Sequence, residues 1–369
     1  MYNKKRIFGI KKATISFVSI LGLSVILCAC ASSTDTTPGT PKESASEEAS
    51  VNNTQDDERH ASKEPISGTD MFFDTVVTIT LYGEDKQNYI DECFDLARYY
   101  ENLFSNTIPE SDISRINEAK GDYVQVSPET IDLLNAGLEY GKISGGQFNI
   151  SVGKLSDLWH FSENDGDVPA DEEIQSALQT IEPVPVSIAD NTVALTNPDS
   201  KLDLGGIAKG YIADRMRDYL IEAGINSGII NLGGNVVVIG SKPDGSKYKI
   251  GIQKPFSDQN DVIAYVESDE VSVVTSGVYE RYFYVDDTLY HHILNLATGY
   301  PANNGLSSVT IISRNSVDGD GLSTTCFLLG LEKGMELIEN TPEIEAVFIT
   351  EDNEIHTTSS VGDQLVLVQ

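Results

Sequence analysis

The alternation of apolar and polar residues predicts a folded domain that begins near Gly68 and contains both strands and helices. β-Branched and aromatic residues predict one strand over Met71–Tyr82, and apolar groups at helical spacing predict a helix over 88–104. Ser127 followed by Pro128 predicts the start of a further helix. The remaining elements are expected as a helix at 171–181, a strand ending at Leu204, a helix from Ile207, two strands around a glycine turn up to Gly240, hairpins over 247–296, a strand at 307–313, a helix at 320–331 and three short strands over 344–368.

Strands and helices are mixed along the chain instead of alternating strictly, which predicts an α+β fold. We expect mixed or antiparallel sheets with packed helices. Residues 68–369 are long enough for a single large domain of two lobes.

The first 29 residues have the composition of a signal peptide, since five basic side chains precede an uncharged apolar run from Ala13 to Leu27. That run is shorter than the roughly 20 residues that span a bilayer. The segment Leu27-Cys28-Ala29-Cys30 resembles the bacterial lipobox, which implies cleavage after residue 29 and lipidation of Cys30. An uncleaved anchor or an ordinary signal peptide is the alternative. Residues 30–67 are rich in Ser, Thr, Glu and Asp and are expected to form a disordered tether, which predicts a membrane-anchored domain facing the extracytoplasmic side.

The charge balance excludes nucleic acid as a partner. The chain has 57 acidic and 25 basic residues, a net charge of −32, and such a surface repels phosphate backbones.

Beyond the leader and Cys30, the cysteines are Cys93 and Cys326, each within an apolar helical pattern. We expect two buried thiols, although the sequence alone leaves a disulfide between them open.

The segment DLGGIAKG (residues 203–210) joins the end of a predicted strand to the start of a helix through paired glycines. A helix N-terminus offers unpaired N–H groups and the positive end of a dipole. Lys209 adds a cation, so this turn is suited to a phosphate. A tight strand-to-helix turn with a surface lysine is the alternative. The spacing matches neither the dinucleotide fingerprint nor a P-loop.

The segment DGDGLST (residues 318–324) places Asp320 and Thr324 four residues apart on one face of the first turn of a predicted helix. Carboxylate and hydroxyl oxygens so placed suit Mg²⁺, which takes its other ligands from phosphates and water. A helix cap formed by the aspartate is the alternative. An EF-hand is excluded, because Leu329 stands where its bidentate glutamate is required.

Two of the five histidines, His291 and His292, are adjacent and follow the cluster TSGVYER (residues 275–281). On a strand they face opposite sides, so we expect one to point to a site and the other to be solvated. No further His or Cys lies at ligand spacing, and a zinc site is therefore not expected. The sequence also lacks Gly-x-Ser-x-Gly, which excludes the usual hydrolase elbow.

Five motifs in this order resemble the ApbE family, the FAD:protein FMN transferases. They are DLGGIAKG, NLGG (231–234), TSGVYERYF, HHILN with the following TG, and DGLSTT. Upstream, SDISRIN (111–117) and GGQFNISVGKL (145–155) fit the same family. The resemblance therefore covers nearly all of residues 68–369.

The resemblance implies a magnesium-dependent enzyme that uses FAD as substrate. A threonine or serine hydroxyl of a client protein attacks the phosphorus next to FMN, and AMP leaves. It implies that the metal ligands are Asp320, Thr324 and the backbone carbonyl of Gly206, that His292 is the base and that Lys209 supplies positive charge. The implied FAD contacts are Met71, Thr107, Gln147, Phe148, Asn149, Asp203, Lys209 and Ile293.

Three positions depart from the family pattern. Thr107 stands where an aromatic residue is common, Asn149 where an aspartate is common, and Asn295 with Leu296 where Asp-Pro is common. These departures leave open whether water competes with a client hydroxyl, so an FAD pyrophosphatase is one alternative. A flavin-binding or solute-binding lipoprotein without catalysis is another.

The expected client is a redox protein outside the cytoplasm or a membrane electron-transfer subunit. The chain lacks a [ST]-G-A-[ST] acceptor segment of the kind that the family modifies. We therefore expect this protein to be the enzyme and not the client.

Overall fold

The computed structural model describes residues 64–161, 166–257 and 261–368. The signal peptide, Cys30 and the tether as far as residue 63 lie outside the described residues and stay predictions. All described residues fall in one compact unit, and its first strand begins at Pro65, three residues before the predicted boundary at Gly68. Among these residues, no helix has the length and apolarity needed to cross a bilayer.

The described residues form helices and strands in mixed order. The helices are α1 (Gln87–Phe104), α2 (Asp112–Glu118), α3 (Pro128–Ile143), α4 (Gly153–Trp159), α5 (Asp171–Leu178), α6 (Ala208–Glu222), α7 (Ser316–Leu329) and α8 (Leu331–Glu339). The strands are β1 (Pro65–Phe72), β2 (Thr75–Tyr82), β3 (Val124–Gln125), β4 (Val186–Ala189), β5 (Thr192–Leu195), β6 (Gly228–Leu232), β7 (Asn235–Ile239), β8 (Tyr248–Gln253), β9 (Val262–Ser268), β10 (Val271–Gly277), β11 (Tyr282–Val285), β12 (Thr288–His291), β13 (Leu306–Ser313), β14 (Glu345–Thr350), β15 (Ile355–Thr357) and β16 (Leu365–Leu367).

Eight strands form one central sheet in the order β1-β2-β6-β7-β10-β13-β14-β15. Every neighbouring pair in it is antiparallel. Three smaller sheets have the orders β16-β9-β8, β3-β5-β4 and β11-β12. The predicted α+β class with antiparallel sheets is confirmed.

The central sheet is buried on both faces, because successive side chains of a strand point in opposite directions. Ile311 of β13 and Phe348 of β14 belong to the main core, which α1, α6 and α7 share. Their neighbours Ile312 and Ile349 belong to a second core with β8 and β9. The molecule therefore has a helical layer, the central sheet and a small sheet. The candidate site is built on the helical side.

The single strand predicted over Met71–Tyr82 is wrong, since this stretch contains the end of β1 and all of β2. Between them lies a two-residue turn, in which Phe73 and Asp74 have φ angles of 53° and 55°. Two consecutive positive φ values are those of the tight hairpin turn that matches strand twist. Glycine usually marks such a turn, and neither Phe73 nor Asp74 is a glycine, so the turn could not be predicted from the sequence.

Two further boundaries differ from the predictions. The strand expected to end at Leu204 is reduced to a single bridge between Val152 and Lys201. Helix α7 begins at Ser316, four residues before the predicted start at Asp320. Other predictions are confirmed. They are the helix over 88–104, the helix that opens with Ser127-Pro128 and the three short strands after residue 344.

A third cluster of buried side chains supports the β11–β12 hairpin. The ring of Trp159 lies 5.6 Å from that of Tyr290, which stacks on Phe283 at 5.4 Å. The Trp159 indole donates a hydrogen bond to the Gly299 carbonyl at 2.9 Å. One face of the hairpin is thus fixed to the body of the domain. The thiols of Cys93 and Cys326 are buried and free, as expected.

Candidate active site

Helices α6 and α7 approach each other closely at Gly210. A methyl group at this position would lie 2.8 Å from the Asp320 Cβ atom and would overlap the Ser316 carbonyl. Real Cβ atoms do not come so close to their neighbours. Glycine at 210 therefore allows the first turn of α6 to touch the first two turns of α7.

Each of these two helices supplies an aspartate that caps the other. Asp320 of α7 accepts the Gly210 N–H of α6 through Oδ2 at 2.9 Å. Asp214 of α6 accepts the N–H groups of Ser316 and Val317 at 2.8 and 2.9 Å. A helix N-terminus stabilises a carboxylate in this way. Both aspartates are almost fully buried.

This geometry corrects one prediction. Because α7 begins at Ser316, Asp320 lies in its second turn and caps a neighbouring helix, not its own. At the α6 N-terminus the Gly210 N–H serves the Asp320 carboxylate, and phosphate binding by this turn stays a prediction.

A second effect of the Gly210 bond is a free carbonyl. In a regular helix the Gly210 N–H would serve the carbonyl four residues earlier, which is that of Gly206. In the described part of the chain the Gly206 carbonyl accepts no hydrogen bond. An orphan carbonyl of this kind is available to a cation.

Oxygen atoms converge around the Lys209 ammonium. Its Nζ lies 3.2 Å from the Gly205 carbonyl and 3.4 Å from Asp320 Oδ1. A positive charge is therefore stabilised between the glycine turn and α7. Thr324 lies one turn after Asp320, and its hydroxyl pairs with that of Ser276 at 3.1 Å.

The donor set fits a hard cation. Carboxylate, hydroxyl and backbone carbonyl oxygens of Asp320, Thr324 and Gly206 are the ligand types that Mg²⁺ prefers. The described residues contain no group of three or more His, Cys, Asp or Glu side chains suited to a metal. A cation held here would therefore need further ligands from a substrate or from water.

Asp203 and Phe148 shape the glycine turn. Asp203 accepts the Gly205 N–H at 2.8 Å, which closes a local side-chain turn. The buried Phe148 ring lies against Gly206, where an added Cβ would be 3.3 Å from the ring. Phe148, from the segment GGQFN, thus packs beside Gly206, whose carbonyl is the predicted metal ligand. Gln147 beside it is half-buried.

Asn149 has a structural role. Its amide nitrogen donates to the Glu182 carbonyl at 2.9 Å, and its oxygen accepts the N–H and hydroxyl of Ser151, each at 2.8 Å. Its side chain thus holds the loop, while the second N–H of its amide makes no bond among those found in the described residues.

The two histidines have different environments. His291 is buried, donates Nε2–H to the Ala302 carbonyl at 3.0 Å and accepts the Ile293 N–H at 3.3 Å through Nδ1. Burial lowers its pKa to about 4. The expectation that one histidine is solvated is therefore wrong. His291 is a core residue because both ring nitrogens find backbone partners.

His292 is half-exposed. Its Nδ1 lies 3.3 Å from the Arg281 carbonyl, and its backbone N–H donates to the same oxygen at 3.1 Å. A carbonyl only accepts, so the proton is on Nδ1 and the Nε2 lone pair is free. Desolvation, with the Arg281 charge second, lowers the pKa of His292 well below its ordinary value. The ring is consequently neutral at physiological pH and able to accept a proton.

Glu280 belongs to the site although the sequence assigned it no role. Glu280 is exposed, and Lys209, Arg281 and Asp320 lie near enough to its carboxylate to affect its pKa. Desolvation raises its pKa to about 7, against the lowering effect of Lys209 and Arg281. Its presence in the TSGVYER motif was the only signal. Ser276 and Asp214 were missed as well, since their roles depend on contacts between distant segments.

The remaining predicted residues lie at the edge of this region or in the core. Met71 is 63% exposed at the end of β1. The turn after β1 lies beside Gly233, whose N–H donates to the Val76 carbonyl at 3.2 Å. The Thr107 side chain is exposed and bonds Ser105 at 3.0 Å. Ile293 is buried, and its carbonyl accepts the Ala302 N–H at 2.9 Å.

The fold and the site define a class of α+β protein in which a glycine turn, a helix carboxylate, a lysine and a neutral histidine meet beside an antiparallel sheet. The sequence model of the ApbE family matches residues 73–348. The chain belongs to the ApbE family.

Named relatives agree with this assignment. The FAD:protein FMN transferase of Klebsiella pneumoniae is 38% identical over 286 residues, which are 77% of this chain and 88% of the relative. That of Treponema pallidum is 32% identical over 292 residues, 75% of this chain and 81% of the relative.

Solved structures show the same fold. An ApbE protein from Thermotoga maritima has a TM-score of 0.75 at 33% identity, covering 80% of this chain and 97% of that one. The flavin transferase ApbE from Vibrio cholerae has a TM-score of 0.72 at 27% identity, with coverages of 81% and 98%.

The buried His291 predicts a pH dependence of stability. Its folded pKa of about 4 lies below the ordinary 6.5, so the unfolded chain binds the extra proton first. We expect the stabilisation to be complete above about pH 6.5 and to be lost as pH falls toward 4, by at most about 3 kcal/mol. Urea unfolding at pH 7 and pH 4.5 measures it. The variant His291→Gln should lose less stability on acidification than wild type or the exposed-site control His356→Gln, and an equal loss would contradict the assignment.

Proposed function

We propose that this protein is a magnesium-dependent FAD:protein FMN transferase, which moves FMN from FAD to a threonine or serine hydroxyl of another protein and releases AMP. The observation that carries the proposal is the contact of the Lys209 ammonium with Asp320 and with the Gly205 carbonyl, next to the Gly206 carbonyl that the α6–α7 bond leaves free. Thr324 follows one turn after Asp320 on α7. The names of the curated relatives support the same activity.

Charge neutralisation is the main demand of such a reaction, because the diphosphate of FAD carries negative charge that grows on the leaving AMP. Mg²⁺ bound by Asp320, Thr324 and Gly206 would supply positive charge and orient the phosphates. Lys209, already placed between Gly205 and Asp320, adds a second cation. We place the remaining FAD contacts on Met71, Thr107, Gln147, Phe148, Asn149, Asp203 and Ile293.

His292 is the proposed base. Its free Nε2 accepts the proton of the incoming hydroxyl, while the Arg281 carbonyl holds the ring through Nδ1. The hydroxyl oxygen then forms a bond to the phosphorus of FMN, and the bond between that phosphorus and the AMP oxygen breaks. A neutral ring is required for this role, in agreement with the lowered pKa of His292.

We also propose that the enzyme acts outside the cytoplasm, anchored through lipid on Cys30 and held at a distance by the segment that precedes β1. Support comes from the leader, the Leu27–Cys30 segment and the tether composition. A lipidated enzyme on this side would reach redox proteins at the same membrane. Two acyl chains are needed for stable anchoring of this kind.

A single assay distinguishes the activities. The domain from residue 31 onward is mixed with FAD, Mg²⁺ and a redox-protein domain that carries a Thr-Gly-Ala-Thr segment, and the acceptor is weighed by mass spectrometry. We expect a gain of one FMN. Free FMN and AMP with an unmodified acceptor would indicate hydrolysis instead, and unchanged FAD would contradict both reactions.

Two variants of Asp320 test the metal site. Asp320→Asn keeps an oxygen for the Gly210 N–H but removes the charge, whereas Asp320→Ala removes both. We expect both to lower metal-dependent turnover at least about 100-fold, and only Asp320→Ala to lower the melting temperature clearly. Either variant with wild-type turnover would place the metal elsewhere.

The variant His292→Ala tests the base. We expect the transfer rate at saturating FAD to fall by about 100-fold to 10,000-fold, with FAD affinity measured by flavin fluorescence close to wild type. His356→Ala, a half-exposed histidine on β15, is the matched control and should keep full activity. Loss of FAD binding in His292→Ala would show that the ring is a ligand contact and not the base.

A further inference from the structure

Three exposed aromatic rings contact one another beside the candidate active site. Phe256, Tyr282 and Tyr284, here called the aromatic patch, are 46%, 40% and 54% exposed. The Tyr282 ring lies 5.4 Å from Phe256 and 5.7 Å from Tyr284, both edge to face. Exposed rings in contact with one another are typical of interaction surfaces, whereas single exposed apolar residues are ordinary.

The aromatic patch stands on a rigid support. Tyr282 and Tyr284 alternate along β11 with Phe283, which points the other way and joins the buried Trp159 cluster. That cluster ties the hairpin to Gly299 through the indole hydrogen bond. A surface held in place loses little entropy when a partner binds, so it favours affinity.

Phe256 adds a sign of strain. Its φ angle is +56°, a left-handed conformation that bulky residues rarely adopt because the Cβ atom comes too close to the backbone. The strained backbone places the ring between Tyr279, at 6.0 Å, and Tyr282. Strain of this kind is concentrated at ligand-contacting positions.

The aromatic patch is linked to the proposed base through Arg281. The Arg281 carbonyl holds the His292 ring, and Tyr282, the first tyrosine of the patch, follows Arg281 directly. At about 3.3 Å per residue, Tyr284 lies on the order of 10 Å along the chain from Arg281. An acceptor that brings its hydroxyl to His292 Nε2 must therefore place the flanking residues close to these rings.

Arg281 supplies charge to the same surface. Its side chain is exposed, and it forms none of the ion pairs found among residues 64–161, 166–257 and 261–368. Tyrosine and arginine are the residue types that dominate binding energy at protein interfaces.

We propose that the aromatic patch and Arg281 form the docking surface for the acceptor protein, and that they bind a segment in which apolar and acidic residues flank the modified hydroxyl. The proposal rests on the proposed function, because only a protein acceptor needs a surface beyond the candidate site.

The test separates docking from chemistry. Tyr282→Thr with Tyr284→Thr removes both rings while keeping residues that favour strands, and Phe256→Asn removes the third ring at a φ that asparagine tolerates. The probe is the same acceptor domain with its modified threonine changed to valine, titrated calorimetrically against the enzyme without FAD. We expect each change to weaken binding about 10-fold or more, and Arg281→Gln to weaken it less and mainly at low salt.

The control is Tyr123→Thr, an exposed tyrosine that precedes β3 in another sheet. It should bind the acceptor like wild type, and all variants should bind FAD like wild type. Acceptor affinities within twofold of wild type in the ring variants would overturn the docking surface. A parallel loss of FAD affinity would overturn it in favour of a flavin contact. If wild type proves to be an oligomer that the ring variants dissociate, the surface would instead serve self-association. Failure of wild type to modify the acceptor while still binding it would instead contradict the proposed transfer.

Discussion

The candidate site depends on one reciprocal interaction between α6 and α7. Asp320 caps α6 through Gly210, and Asp214 caps α7 through Ser316 and Val317. Each helix thus neutralises a buried carboxylate that the other carries, which offsets the large cost of removing such charges from water. The same interaction frees the Gly206 carbonyl and directs Asp320 Oδ1 toward Lys209. One oxygen of the Asp320 carboxylate therefore holds the two helices together, and the other faces Lys209 at the candidate site.

The adjacent histidines show a similar division. His291 uses both ring nitrogens within the core and fixes the backbone that runs to Ile293 and Ala302. His292, one residue later, forms a hydrogen bond only through Nδ1, so its Nε2 has no partner among the described residues. A rigid neighbour reduces the freedom of the second ring, and a base held in one orientation transfers protons more effectively.

The sequence was sufficient for the fold class and the family, because short motifs in a fixed order carry the resemblance. It was insufficient where contacts join distant segments. Asp320 was placed in the first turn of its helix, whereas the buried Asp214, 102 residues before Ser316, caps α7 at its true start. The turn at Phe73-Asp74 has positive φ values without glycine, so local propensity pointed to a continuous strand. The bonds by which Asn149 holds Ser151 and Glu182 form only once the loop is folded.

The exposure of the site bears on the choice between water and a protein hydroxyl. His292 is half-exposed and Glu280 is exposed, so the described residues do not exclude water from the proposed base. A preference for the protein hydroxyl over water must then arise when the acceptor covers His292. Covering the site removes water and strengthens the electrostatic interactions within it. A surface next to His292 that binds the acceptor tightly would supply both effects. On this argument the selectivity of the enzyme lies less in its catalytic groups than in the surface around them.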